Sequence, residues 1–239
     1  MRLILIRHGD PDYARDSLTE KGWREAALLA RRVRSWQVDD VYVSPLGRAQ
    51  ATAKPCLEAW RKQATVLPWA EEFVHFYEDE NGTRGFVWDY FPADWTGEDL
   101  FFRENEWTKQ RYTGAIAGDY ERVCASLDEL IRGYGYEREG RMYRAVSPSE
   151  KTVVIFCHFG VSMIFLSHLL NLPALALLHG VYLAPTSVTV LNTEERRGDE
   201  AYFRAERIGD TAHLIAGGEP VSRSGYFTDC LQEPDFFKE

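Results

Sequence analysis

The first nine residues, Met1-Arg-Leu-Ile-Leu-Ile-Arg-His-Gly9, constrain the fold more than any other stretch. Leu3 to Ile6 form a short, nearly unbroken apolar run, the pattern of a strand covered on both faces. The run stops at Arg7-His8-Gly9 and is followed by the turn-forming Asp10-Pro11-Asp12. A doubly covered strand is central in a sheet flanked by helices, and such sheets bind ligands just beyond the carboxyl ends of their strands. A guanidinium, an imidazole and a glycine delivered there predict an anion site that contains a nucleophile. Three residues alone are also compatible with an ordinary strand end carrying two solvated side chains.

The alternation of elements extends this reading. Asp16-Ser17-Leu18-Thr19-Glu20 offers two N-caps, and Ser17-x-x-Glu20 matches a capping box. A helix is expected from there to about Ser35, with Trp23, Ala26, Ala27, Ala30 and Val33 facing inward. Val38 to Val43 reads as a second strand, and Ser44-Pro45 as the cap and first position of a helix reaching Lys62, with Arg48 in its first turn. A short strand at Thr65 to Leu67 leads into Pro68-Trp69-Ala70-Glu71-Glu72.

From Phe73 the rhythm breaks. Aromatic residues recur to Trp107 without helical or strand period, Thr113 to Arg132 looks helical, and Gly133 to Pro148 reads as a polar surface connection. The alternation resumes with a buried strand at Thr152 to Cys157 that ends in His158-Phe159-Gly160, then a helix to Leu170. Two more strands are expected at Ser187 to Asn192 and Ala201 to Ile208. The whole predicts an α/β fold: a three-layer α/β/α sandwich with a mostly parallel central sheet, one domain over 1–239 with a partly helical lid inserted at about 73–150.

Composition excludes several classes. A formal net charge of −9 argues against nucleic acid as a partner, although an acidic protein can hold a local cationic pocket. Cys56, Cys124, Cys157 and Cys230 have no zinc or C-x-x-C spacing and read as free thiols of a reducing compartment. With a strand starting at residue 2 and no apolar run of bilayer length, the chain is expected in the cytoplasm and away from membranes.

Parallel strands put their carboxyl ends on one side, so Arg7-His8-Gly9, Ser44-Pro-Leu-Gly-Arg48-Ala-Gln-Ala-Thr52 and His158-Phe159-Gly160 can share one pocket. In the order and spacing of these segments, with a glutamate after the third strand, the chain resembles the phosphatase branch of the histidine phosphatase superfamily, the phosphoglycerate-mutase-like fold. Leu18-Thr-Glu-Lys-Gly22 and Gly209-Asp-Thr-Ala-His-Leu214 extend the resemblance, which covers roughly 1–72 and 150–214. It implies that His8 is a nucleophile forming a phosphohistidine, that His158 hydrogen-bonds a transferring oxygen as an imidazolium, and that a carboxylic acid protonates the leaving oxygen. Glu72 is the first choice for that acid, with its neighbour Glu71 left open.

The chemistry agrees. Arg7 and Arg48 offer planar charged donors to phosphoryl oxygens, and Gly9 and the amide of Phe159 at a helix start add to the anion site. The same positive charge disfavours protonation of His8 and keeps a lone pair for attack. With the arginines supplying the charge, no metal and no cofactor are required. The partner implied is a small-molecule phosphate monoester; nothing in the sequence speaks to oligomeric state. Cys157 reads as core, Arg31 and Arg32 as a solvated helix face, His168 and His179 as packing or surface residues, and His75 and His213 as possible pocket edges.

The mutases of the superfamily resemble Arg-His-Gly-Glu-Ser-x-Trp-Asn, whereas here Pro11 and Ala14 stand at the serine and asparagine positions. Two polar contacts to a phosphoglycerate are thereby missing, which favours a hydrolase over a mutase, while the presence of both histidines and the acid argues against a non-catalytic phosphate-binding module. Trp88, Tyr90, Phe91, Trp95, Phe101, Phe102 and Trp107 are candidates either to wall a pocket or to pack the lid. Glu78, Asp79, Glu80, Asp89, Asp94, Glu98 and Asp99 would repel a second phosphate. A monophosphate ester with an aromatic, apolar or cationic leaving group is expected.

Overall fold

A computed structural model describes residues 1–78, 84–103, 106–109 and 116–225. Asp79, Glu80, Cys230 and the expected helix start at Thr113 lie outside the described residues. In chain order the elements are β1 (Arg2–Arg7), β2 (Pro11–Asp12), β3 (Ser17–Leu18), α1 (Glu20–Val33), β4 (Asp40–Val43), α2 (Gly47–Trp60) and β5 (Thr65–Val66). Then follow β6 (Phe76–Glu78), β7 (Arg84–Phe86), α3 (Pro92–Thr96), α4 (Ala117–Arg132), β8 (Tyr136–Glu139) and β9 (Met142–Ala145). The chain continues with β10 (Thr152–Cys157), α5 (Phe159–Leu170), α6 (Ala174–Gly180), β11 (Val188–Arg197), β12 (Glu200–Asp210) and α7 (Ala212–Gly217).

The central sheet runs β5-β4-β10-β1-β11-β12-β9-β8. Its first four strands are parallel, and antiparallel pairing begins where β11 joins β1. The sheet as a whole is therefore mixed, its parallel half being the part announced by the β–α alternation. Strand β1 shows why it is central: Leu3 and Leu5 pack into the core on one face, Ile4 and Ile6 into the core on the other. Strand β10 alternates likewise, with Val153, Ile155 and Cys157 on one side and Val154 and Phe156 on the other. Helices α1 and α2 cover one face, and α4, α5 and α6 cover the other, giving three layers. Among the described residues no helix is long and apolar enough to cross a membrane.

Several expectations are corrected. The stretch 133–148 is no surface connection: β8 and β9 form a hairpin that extends the sheet through β12. Strands of four residues carrying exposed charges hid the signal, while Tyr136 and Tyr143 point inward and are fully buried. Helix α1 starts later than the capping box implied, because Ser17–Leu18 pairs with Pro11–Asp12 and Thr19 is the N-cap, accepting from the Gly22 amide. Its buried stripe is Gly22, Glu25, Ala26, Leu29 and Val33, whereas Trp23 and Ala27 are exposed. Gly22 sets that rotation, since a Cβ there would lie 2.3 Å from the Asp10 carbonyl oxygen. Arg32 is not a solvated charge; it pairs with Asp210 at the foot of α7.

Candidate active site

Register brings the site together. Arg7 pairs with Cys157 and Phe156 with Val43, so the residues that follow leave three adjacent parallel strands side by side. The His8 amide donates to the Cys157 carbonyl at 3.0 Å, and the Ser44 amide to the Phe156 carbonyl at 2.9 Å. The result is that His8 and His158 meet, with ring centroids 5.1 Å apart, and both are buried.

Their hydrogen bonds fix what each ring presents. His8 Nδ1 lies 2.7 Å from the Gly9 carbonyl oxygen. A carbonyl can only accept, so Nδ1 carries the proton and the lone pair sits on Nε2. His158 Nε2 is 2.7 Å from Ser44 Oγ, which also accepts the Leu46 amide at 3.3 Å. Among the described residues His158 Nε2 is the acceptor within reach of the Ser44 hydroxyl proton; with that proton given to Nε2, the ring N–H stands on Nδ1, a buried atom with no partner among the described residues. Burial first, then Arg7, then Arg48, hold His8 well below the ordinary imidazole range. Burial first, then His8, Arg48 and Arg7, do the same for His158. In the free protein this direction runs against the imidazolium expected for His158.

Both guanidiniums flank the pair. Arg7 at the end of β1 is buried and donates from Nη1 to the Leu183 carbonyl and from Nη2 to the Ser224 carbonyl at 3.2 Å. These partners are neutral, so neither of them cancels its positive charge. Arg48, in the first turn of α2, bonds through Nη1 to Asp16 at 2.7 Å. The Nε atoms of both arginines are buried without a partner among the described residues. Gly9 lies against α1, where a Cβ would be 3.0 Å from the Gly22 carbonyl, and its amide donates to Thr52 Oγ1 at 2.9 Å.

Glu72 enters from the loop after β5. Its Oε1 accepts the Phe73 amide at 2.9 Å and the Val161 amide at 3.2 Å, which ties it to the first turn of α5. Burial pushes its carboxyl above the usual range, against the pull of Arg7, the two amides and Arg48. Glu71 is exposed, so of the two carboxyls the geometry places Glu72 at the site. Phe159 opens α5, and its ring lies 5.8 Å from Arg7 Cζ.

Three contributors were not foreseen. Ser44 was read as a helix cap, but α2 begins at Gly47 and the freed hydroxyl turns to His158. Asp16, in the stretch that offers N-caps for α1, accepts instead from the Gly47 amide and from Arg48. Thr186, at φ 57, donates its amide to the His8 carbonyl at 3.1 Å. His213 stands behind it, between Thr186 Oγ1 and Arg32, and so does not edge the pocket. His75 pairs with Asp119, and His179 accepts the Tyr90 amide. Of the aromatic residues between 88 and 107, Tyr90, Phe101 and Trp107 are core, Phe91 and Phe102 are exposed, and Trp88 reaches the Glu72 side of the site.

Comparison with known proteins accords with this geometry. A family model of the histidine phosphatase superfamily, branch 1, matches residues 3–95. A probable phosphoglycerate mutase of Yersinia pestis is 30% identical over 228 residues, covering 90% of this chain and 95% of that one. The chain belongs to the histidine phosphatase superfamily. The corresponding Yersinia enterocolitica protein is 27% identical over 229 residues, with the same coverage. Among solved structures, a phosphoserine phosphatase of Entamoeba histolytica superposes with a TM-score of 0.59 at 21% identity, covering 89% of this chain and 98% of that one. An alpha-ribazole phosphatase of Shigella flexneri gives 0.54 at 22% identity, covering 88% and 97%. These structures share the superfamily's fold, with its mixed sheet between helical layers.

Proposed function

We propose that the protein is a metal-independent phosphomonoesterase acting through a phosphohistidine on His8. The observation that carries the reading is that Arg7 Nε, Arg48 Nε and His158 Nδ1 are buried without a partner among the described residues, while both arginines act on an imidazole whose lone pair is on Nε2. Buried donors without acceptors are costly, and a tetrahedral oxyanion would satisfy all three. His8 Nε2 attacks phosphorus, the ester P–O bond breaks, and the departing oxygen takes the proton of Glu72. Glu72, now a carboxylate, removes a proton from water; the hydroxyl oxygen bonds to phosphorus, the P–N bond breaks, and phosphate leaves. Depressed basicity keeps His8 neutral for the first step, and the raised pKa of Glu72 keeps its proton available.

A mutase reading draws on the names of the Yersinia relatives. Pro11 and Ala14, at positions where the mutase pattern carries serine and asparagine, favour hydrolysis. The experiment is phosphate release from a panel of monoesters, set against isomerisation of a phosphoglycerate in the presence of its bisphosphate primer. Phosphate release that survives a chelator supports the proposal; isomerisation exceeding hydrolysis overturns it.

A further inference from the structure

The alcohol leaves past the group that protonates it, so whatever stands beside Glu72 decides which alcohols fit. That neighbour is Trp88. A Cβ on Gly160 would lie 2.8 Å from Glu72 Oε1 and 2.8 Å from Trp88 Cζ3, so carboxyl and indole converge on the same glycine. Trp88 stacks on Phe86, with centroids 5.2 Å apart and planes 5° apart, and meets Phe159 edge-on at 6.1 Å. All three rings are half-buried and keep accessible surface. Phe159 in turn lies against Arg7, and on the other side of the site the exposed ring of Tyr13 lies 5.5 Å from Arg48 Cζ. Each phosphate-facing guanidinium is thus bordered by an aromatic ring.

Charge points the same way. Between Phe73 and Trp107 the sequence has nine Asp and Glu against two Arg, and one of these, Arg103, is paired with Glu106. That balance along the chain disfavours a leaving group bearing its own carboxylate or phosphate.

We propose that the preferred substrates are phosphate monoesters of planar, apolar alcohols, with Trp88 as the residue that selects them and Phe86 and Phe159 extending its face. This rests on the phosphomonoesterase reading and deepens it. A ring laid on Trp88 gains stacking and apolar contact that a short alkyl group cannot.

The test compares 2-naphthylmethyl phosphate with ethyl phosphate. Both release alkoxides of similar basicity, so both need Glu72 equally, and their ratio isolates the ring. The wild-type protein should favour the naphthylmethyl ester in kcat/KM by about tenfold or more. Trp88→Ala should bring the ratio to within ~twofold, mainly through KM, while Trp88→Phe, which keeps a ring, should retain most of the preference. A substitution that merely disturbs Glu72 lowers both esters together and leaves the ratio standing. Equal use of the two esters by the wild-type protein, better use of phosphoserine, or a ratio that survives Trp88→Ala would overturn the inference. Release of phosphate from none of these esters would overturn the phosphomonoesterase reading itself, and the inference with it.

Discussion

Replacing Ser44 with alanine tests the hydrogen-bond logic of the site at one atom. Ser44 Oγ is buried and bonds His158 Nε2 at 2.7 Å while accepting the Leu46 amide at 3.3 Å. In Ser44→Ala the Nε2 lone pair is left buried and unsatisfied, a loss of about 1–3 kcal/mol in stability. The ring can escape that cost by moving its proton to Nε2, which turns a bare lone pair on Nδ1 toward the phosphoryl oxygens. Losing one preorganised donor to a transition-state oxyanion lowers kcat by roughly 10²–10³. The assays are urea unfolding, steady-state phosphate release, and the ¹⁵N shifts of the His158 ring, which report the tautomer. Ser44→Cys, close in size but a weaker donor, should fall between. A variant with wild-type kcat and an unchanged His158 tautomer would refute the reasoning, as would lost stability with no change in kcat.

Glu72→Gln should lower turnover of alkyl phosphates by about 10²–10⁴ and that of p-nitrophenyl phosphate, whose leaving group needs no proton, far less. In the wild type, kcat should fall as pH rises through the raised pKa of Glu72, because the acid form works; the depressed pKa of His8 should keep the nucleophile active well into acid. Gly160→Ala, whose Cβ would press on both Glu72 and Trp88, should reproduce the Glu72→Gln pattern in milder form, with alkyl esters losing more than p-nitrophenyl phosphate. Glu25, buried beneath the Asp10 amide, is pushed up to about 7 from 4.5, first by burial. The folded protein then holds the extra proton between those values, so stability falls as pH rises through them, by about 3 kcal/mol in all. Glu25→Gln should flatten that fall in urea midpoints measured from pH 5 to 8; an unchanged slope would assign it to other groups.

How much of this was legible in the sequence follows from which signals are local. Strands buried on both faces announce themselves as apolar runs, so β1 and β10 and the Arg7-His8 and His158 that end them could be read directly. Their meeting follows from parallel register, which the β–α alternation implies. Edge strands carry no such signal, and β8 and β9, four residues each with charges outward, looked like loop. Ser44 shows a second limit: Ser-Pro before a helical pattern has the chemistry of a cap, and only the approach of β10 reveals a better partner for the hydroxyl. The role of Asp16 was hidden for the same reason, since it acts on a segment distant in the chain. Aromatic residues without period left pocket wall and packing both open, and the structure buries Tyr90, Phe101 and Trp107 in the core while Phe91 and Phe102 stay exposed.

Rapid mixing with a ³²P-labelled monoester, quenched in base to preserve a phosphoramidate, tests the central claim most directly. The expected result is a labelled protein whose label is lost in acid, maps to His8, forms in the presence of chelator, and is absent in His8→Ala although that variant remains folded. Turnover without any labelled protein, or a label that persists in His8→Ala, would contradict it.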